Sequence, residues 1–182
     1  MEKIILFGIL SVPVILISWR TLFNVRSHGF YRFFSWECIL WLFVSNVKYW
    51  FTDPLSIKQL ISWICLVCSA YLVVAGILVF KREGKIDRSR DEKNLLGFEK
   101  TTELIDQGIY KYIRHPLYAS LFYLTWGIYF KNTTLFLLII ALLSSVFLYF
   151  TSRLDEKECM AYFGDKYREY MTRSKMFVPF LF

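Results

Sequence analysis

The sequence predicts an all-α integral membrane protein of about five transmembrane helices, the last two a helical hairpin, with its polar site at the cytoplasmic face. Three observations predict it. First, the 182 residues are 56% hydrophobic and 20% aromatic against 20% charged, where a soluble domain sits near 45–50% apolar with about a quarter charged. Second, the apolar excess is concentrated in charge-free stretches at 4–19, 59–80, 116–130 and 132–152. Crossing roughly 30 Å of hydrocarbon takes about 20 mostly apolar residues, which 59–80 and 132–152 supply outright. Third, the cationic residues fall on alternate loops. With so much chain committed to lipid, a soluble enzyme with its own Rossmann core is excluded. Met1-Glu2-Lys3 and the lack of a small-residue cleavage site after the apolar run argue against a secretory leader.

The chain reads as one domain, 1–182. Three N-terminal spans fill 1–80, at about 4–25, 33–51 and 57–80. A cytoplasmic loop with the main motif follows over 81–114. The hairpin occupies 115–152, as 115–131 and 132–152 about the polar corner Asn132-Thr133, and a cytoplasmic tail covers 153–182. The net charge of +7 would suggest nucleic acid in a soluble protein, but here it encodes sidedness, and no nucleic-acid partner is expected. Arg26 and Arg32 mark the first loop, with Arg20 in snorkelling reach. Lys81, Arg82, Lys85, Arg88, Arg90, Lys93 and Lys100 mark the third loop, and Arg153, Lys157, Lys166, Arg168, Arg173 and Lys175 the tail. The second loop offers Lys58 beside Asp53, and the hairpin tip Lys131. The positive-inside rule then places the N-terminus outside and the C-terminus in the cytoplasm. Glu37 lies inside the second span, where an ionisable group is a functional candidate, although snorkelling to the headgroups also accounts for it.

Metal and thiol chemistry have little support. Cys65 and Cys68 form C-x-x-C inside the third span, without the strand-turn-helix context of a redox motif. They read as small packing residues, and Cys38 and Cys159 stand alone. With two histidines in the chain and no His/Cys cluster, no metal is expected.

The chemistry-bearing segment is T-T-E-L-I-D-Q-G-I-Y-K-Y-I-R-H-P-L-Y at 101–118. Gly108 permits a tight turn before Tyr110. Proline at 116 disfavours helical geometry at His115 but suits the first position of a helix, so His115 is expected as N-cap of the fourth span. A helix N-terminus attracts anions, and Arg114, His115, Tyr110 and Tyr118 surround it with polar groups. An interfacial Tyr/Arg anchor would use the same residues. Just beyond the fifth span come Asp155-Glu156-Lys157-Glu158 and then F-G-D-K-Y-R-E-Y at 163–170. A hairpin returns these carboxylates to the face that carries His115. One end then suits an anion and the other a cation, as a zwitterionic amino-acid moiety requires.

G-x-Y-x-x-x-R-H-P-x-Y at 108–118, with Asp155-Glu156 seven to eight residues before F-G-x-x-Y-x-x-Y, resembles the isoprenylcysteine carboxyl methyltransferases and the related phospholipid methyltransferases. The resemblance covers about the last 85 residues. It implies S-adenosylmethionine (SAM) as cofactor and a lipophilic small-molecule or lipidated substrate that enters from the surrounding membrane lipids. By position it implies cofactor contacts at Thr102, Glu103, Leu104, Ile105, Tyr110, His115, Pro116, Leu117 and Tyr118. It adds Asp155 or Glu156 for the cofactor's amino group, with Arg153 or Arg114 orienting the acceptor. Two positions depart from the pattern. Thr102 replaces a frequent histidine, and the arginine expected four residues before the acidic contact is Thr151 or Ser152, with Arg153 nearby.

A carboxylate acceptor, ionised at neutral pH, would need no general base, which suits a site without a Ser-His-Asp or Cys-His arrangement. An amine acceptor, as in phospholipid N-methylation, would have to lose a proton to His115 or a nearby acid. Two further readings use the same residues: a relative of the sterol-type NADPH reductases, and a non-catalytic membrane protein that binds a lipid or partner.

Overall fold

In the computed structural model the described residues, 1–84 and 102–178, form six α-helices, and no strand occurs among them. The helices are α1 (Glu2–Ser18), α2 (His28–Asn46), α3 (Ile57–Glu83), α4 (Pro116–Tyr129), α5 (Leu135–Phe163) and α6 (Asp165–Arg173). Most of the basic third loop expected over 81–100 lies outside the described residues.

Helix starts follow local chemistry. The side chain of Ser27 accepts from Gly29 N at the start of α2, Ser56 from Gln59 N at α3 and Thr134 from Leu137 N at α5, each satisfying an otherwise orphaned amide. Helix α4 begins at Pro116 with His115 as its N-cap. Several boundaries differ from expectation: α1 ends at Ser18 and not near 25, and α2 ends at Asn46 and not near 51. Helix α2 starts at His28, before the apolar stretch, because Ser27 caps it there. Helix α5 runs on through the acidic cluster to Phe163 and stops at Gly164, whose φ is +62°, a conformation glycine adopts at little cost.

Among the described residues, two helices, α3 and α5, are long and apolar enough to cross a membrane. Their apolar residues face outward: 17% of the most apolar window of α3 and 33% of that of α5 is buried, far less than the core helix of a soluble protein would show. Ile64, Val67, Val74, Leu135, Ile139 and Val146 are all exposed, an apolar surface that suits lipid contact.

Without a hydrophobic drive between helices in lipid, small residues and internal hydrogen bonds hold them together. Helix α3 lies along α4, where a Cβ on Gly127 would come 2.9 Å from Leu66 and Ser62 Oγ donates to the Gly127 carbonyl at 2.6 Å. Between α2 and α5, Ser35 and Ser144 share a 3.0 Å hydrogen bond, and Thr125 of α4 joins them at 3.1 Å. Glu37 is half-buried in α2 and accepts from Ser11 Oγ of α1 at 2.6 Å, which ties α1 to the bundle. Lys131, expected at an exposed tip, is buried. Its ammonium donates to Gln59 Oε1 at 2.9 Å and lies 3.7 Å from the centre of the Trp63 ring.

Candidate functional site

The site begins with a backbone turn. Gly108 has φ +55°, and a Cβ there would sit 2.6 Å from Val79 Cγ2, so glycine is required both by conformation and by close approach to α3. The short 3-10 helix Gly108–Lys111 buries Tyr110, whose carbonyl accepts from Tyr170 Oη at 2.6 Å. The chain then pairs with the C-terminal segment. Arg114 N donates to the Lys175 carbonyl at 2.7 Å, and Lys175 N to that of Tyr112 at 3.0 Å. This short parallel pairing fixes Arg114 and His115 at the mouth of α4.

Adjacent residues of α5 have different surroundings. Glu156 is 1% exposed. Arg114 reaches its Oε1 with Nε at 2.9 Å and Nη2 at 2.8 Å, while Arg153 Nη1 holds its Oε2 at 3.0 Å. The same guanidinium of Arg114 donates to the carbonyls of Met171 and Ser174, so a single side chain joins α5, the end of α6 and the C-terminal segment. Asp155 instead faces a cavity, with its carboxylate 3.4 Å from His115 Nδ1.

That cavity, of about 130 Å³, has walls from four parts of the chain: Phe80 of α3, the 103–105 segment with Tyr110, the start of α4, and the far ends of α5 and α6. Among the residues singled out in the sequence, Glu103, Leu104, Ile105, Tyr110, Arg114, His115, Pro116, Leu117, Tyr118 and Asp155 line it. Thr102, Arg153 and Glu156 do not. Arg153 points outward with its side chain 48% exposed, and Glu156 lies behind Arg114. Thr151 and Ser152, where the family pattern carries an arginine, are buried in the bundle.

Sequence reasoning missed Phe80, Glu158, Cys159, Phe163, Tyr167 and Tyr170, which also line the cavity. A signal for several of them was present. Glu158, Cys159 and Phe163 follow Asp155 at i+3, i+4 and i+8, one face of a helix, but the helix was ended at the last apolar residue. Glu158 has its own partner: His28, at the start of α2, approaches its Oε2 with Nδ1 at 2.8 Å.

The electrostatics fit a zwitterion with an additional cation. Burial disfavours the imidazolium of His115, yet Asp155 and Glu156 beside it outweigh that and hold its pKa above the ordinary value. Its two ring nitrogens are both turned to carboxylates, Nδ1 to Asp155 at 3.4 Å and Nε2 to Glu156 Oε1 at 3.6 Å. Asp155 and Glu158 offer negative charge to an ammonium group. The rings of Tyr110, Tyr118, Phe80 and Phe163 offer faces to a sulfonium or an adenine. Tyr118 is itself stacked on His115, with 5.5 Å between ring centres. The residues present therefore fit SAM, whose charges require this set.

The comparisons with known proteins agree with this geometry. Residues 57–166 match the family model of the phospholipid methyltransferases, a region that runs from the start of α3 to the start of α6. Over 116 residues the chain is 28% identical to a methanethiol S-methyltransferase of Pseudomonas deceptionensis, covering 64% of this chain and 42% of that protein. Over 121 residues it is 26% identical to the enzyme of the same name from Crocosphaera subtropica, covering 66% and 44%. A methanethiol S-methyltransferase 1 of Bradyrhizobium diazoefficiens is 30% identical over 71 residues, covering 39% and 24%. The chain thus spans less than half the length of the relatives it matches. No solved structure matches it. A family match over more than half of the chain, centred on the helices that build the cavity, identifies this protein as a member of the phospholipid methyltransferase family.

Proposed function

We propose that this protein is a membrane-embedded, SAM-dependent methyltransferase whose cofactor site is the cavity between the start of α4 and the polar end of α5. The observation that carries this reading is that His115 and the Asp155 carboxylate, 3.4 Å apart, line one cavity together with Glu158 and a set of aromatic rings. The two groups are brought together by the α4–α5 hairpin. His115 would face the carboxylate of the cofactor's amino-acid end and Asp155 its ammonium, with Glu103, Leu104 and Ile105 along one wall. Glu156 supports His115 from behind, 3.6 Å from its Nε2, and Thr102 stands next to the 103–105 wall in the chain. We place this site at the cytoplasmic face of a five-span bundle with the N-terminus outside.

When bound, the cofactor supplies an electrophilic methyl group on a sulfonium. The protein's part is positioning and electrostatics. A nucleophile must approach the methyl carbon opposite the departing sulfur, in a space from which the rings of Phe80, Tyr110 and Phe163 keep water. We favour a thiol as acceptor. Both arginines expected to orient an acceptor carboxylate are already engaged with Glu156, and acidic walls repel a carboxylate. The relatives above are named for a thiol. A thiol must lose its proton before attack. Asp155, Glu103 and Glu158 are the cavity groups able to take it. One observation favours the carboxylate acceptor of the isoprenylcysteine enzymes as a second reading: Arg114 does line the cavity.

Calorimetry on the detergent-purified protein tests the site. Saturable binding of SAM and of its demethylated product is expected, lost in His115→Ala and Asp155→Asn, with no binding of NADPH. Labelled-methyl transfer tests the acceptor. Methanethiol should become a labelled thioether, whereas label on a prenylcysteine analogue or on phosphatidylethanolamine would move the acceptor to a carboxylate or an amine.

A further inference from the structure

The matched family region begins at Ile57, so α1 and α2 lie outside it, yet α2 touches a residue that lines the cavity. His28, the first residue of α2, is fully buried and grips Glu158 of α5 at two points. Its ring Nδ1 lies 2.8 Å from Glu158 Oε2, and its backbone N–H donates to Oε1 at 3.4 Å. A carboxylate received at a helix N-terminus by both amide and ring is a strong, oriented contact. The start of α2 is itself fixed. Ser27 caps it at Gly29 N, 3.2 Å away, and Gly29 lies so close to Thr21 that a Cβ would fall within 2.7 Å of it. Arg32, one turn further along α2, is buried, packs over the Trp36 ring and stands near enough to Asp155 for its charge to act there.

We infer that His28 is a positioning residue for the cofactor site, acting through Glu158: the N-terminal hairpin fixes the acidic wall of the cavity from outside the conserved-family segment. The inference rests on the cavity being the SAM site. His28 does not line the cavity; Glu158 does, with a side chain 25% exposed. Held by His28, the Glu158 carboxylate keeps one orientation beside Asp155. Released, it rotates away or competes for His115. His28, Asp155 and Glu158 also have the composition of a cation site, with ligand atoms within 4.8 Å of one another. Arg32 and His115, facing the same carboxylates, oppose a metal there, and the 2.8 Å contact accounts for the Nδ1.

The test measures SAM affinity by calorimetry on the full chain in detergent, with His28→Asn, His28→Gln and Glu158→Gln. An asparagine amide occupies nearly the place of Nδ1 and restores its donor; a glutamine amide lies nearer Nε2 and does not. The expected result is binding about tenfold weaker in H28Q, as for loss of one charge-assisted hydrogen bond, with H28N within about threefold of the unaltered protein. E158Q should weaken binding at least as much, and H28Q/E158Q should be no weaker than E158Q alone, because without the Glu158 charge His28 has nothing to position. Equal affinity in H28Q and the unaltered protein would overturn the inference, as would additive losses in the double variant. So would binding that is abolished by EDTA and restored by Zn²⁺, which would make the three side chains metal ligands. If the unaltered protein itself binds no SAM, the cofactor reading falls and this inference with it. That outcome is distinct from the others because it appears before any substitution is made.

Discussion

The two ends of the α4–α5 hairpin both bury charge, and they do so differently. At the tip, Lys131 is enclosed by Gln59, Trp63 and, at 5.2 Å, the Trp50 ring. Gln59 passes its own donor to the Tyr49 carbonyl at 2.9 Å. That end is closed around Lys131: its ammonium and the Gln59 amide find partners within the protein. At the opposite end, Arg114, Arg153 and Glu156 form a similar knot, but one residue away Asp155 and His115 line an open cavity. Buried charge by itself is therefore no indication of a site. The distinguishing feature is the cavity beside Asp155 and His115, where their charge borders space that a ligand can fill.

The largest effect should come from the closed knot beside the cavity. Arg114→Ala leaves Glu156 buried with Arg153 and His115 as its remaining partners and removes the link between α5, α6 and the C-terminal segment. Loss of a buried partner costs about 3–5 kcal/mol. Thermal unfolding in detergent should fall steeply and SAM binding should disappear with it. Retention of a near-normal transition would show that the knot is not what closes the bundle.

Next is the open side. Asp155→Asn and His115→Ala should cut SAM affinity by more than about tenfold, the scale of one or more charge-assisted contacts, while shifting unfolding much less than Arg114→Ala. Comparable destabilisation by all three would erase the contrast between the two neighbouring residues of α5. At the far tip, Lys131→Met strands Gln59 Oε1, for which about 1–3 kcal/mol is expected. It should leave SAM affinity unchanged, and a loss of affinity would mean that the two ends are coupled through α4.

The smallest effect is in pH. Since the folded pKa of His115 lies above its ordinary value of 6.5, its protonation favours the folded state. That stabilisation is complete below the unfolded pKa and is lost as pH rises through the folded one. The unfolding midpoint should therefore decline as pH rises above about 6.5, and His115→Gln should flatten that slope. An identical slope in the variant would assign the dependence to other groups.

Much of this arrangement is legible in the sequence because it is local. The proline after His115 sets the α4 start, Gly108 sets the turn before Tyr110, and two apolar runs set α3 and α5. What was missed required continuity or distance. Glu158, Cys159 and Phe163 extend the Asp155 face of α5, but a helix whose composition turns polar looks like a tail, and only the cap at Gly164 shows where it ends. The division of labour between Asp155 and Glu156 could not be read from the motif. Both are acids at the membrane boundary, and a 100° turn about the α5 axis gives one to the arginines and the other to the cavity.

The sequence by itself determined the all-helical apolar architecture, the local geometry of the Arg-His-Pro turn and the presence of acids after the last apolar run, because helix periodicity, hydropathy and proline stereochemistry act over a few residues. The tertiary structure decided which charges are spent and which remain available. It buried Lys131, committed Arg114 and Arg153 to Glu156, and brought His28 from outside the family segment to Glu158. Those outcomes depend on groups far apart in the chain meeting where water is scarce, so that each charge must find a partner within the fold or keep its capacity for a ligand.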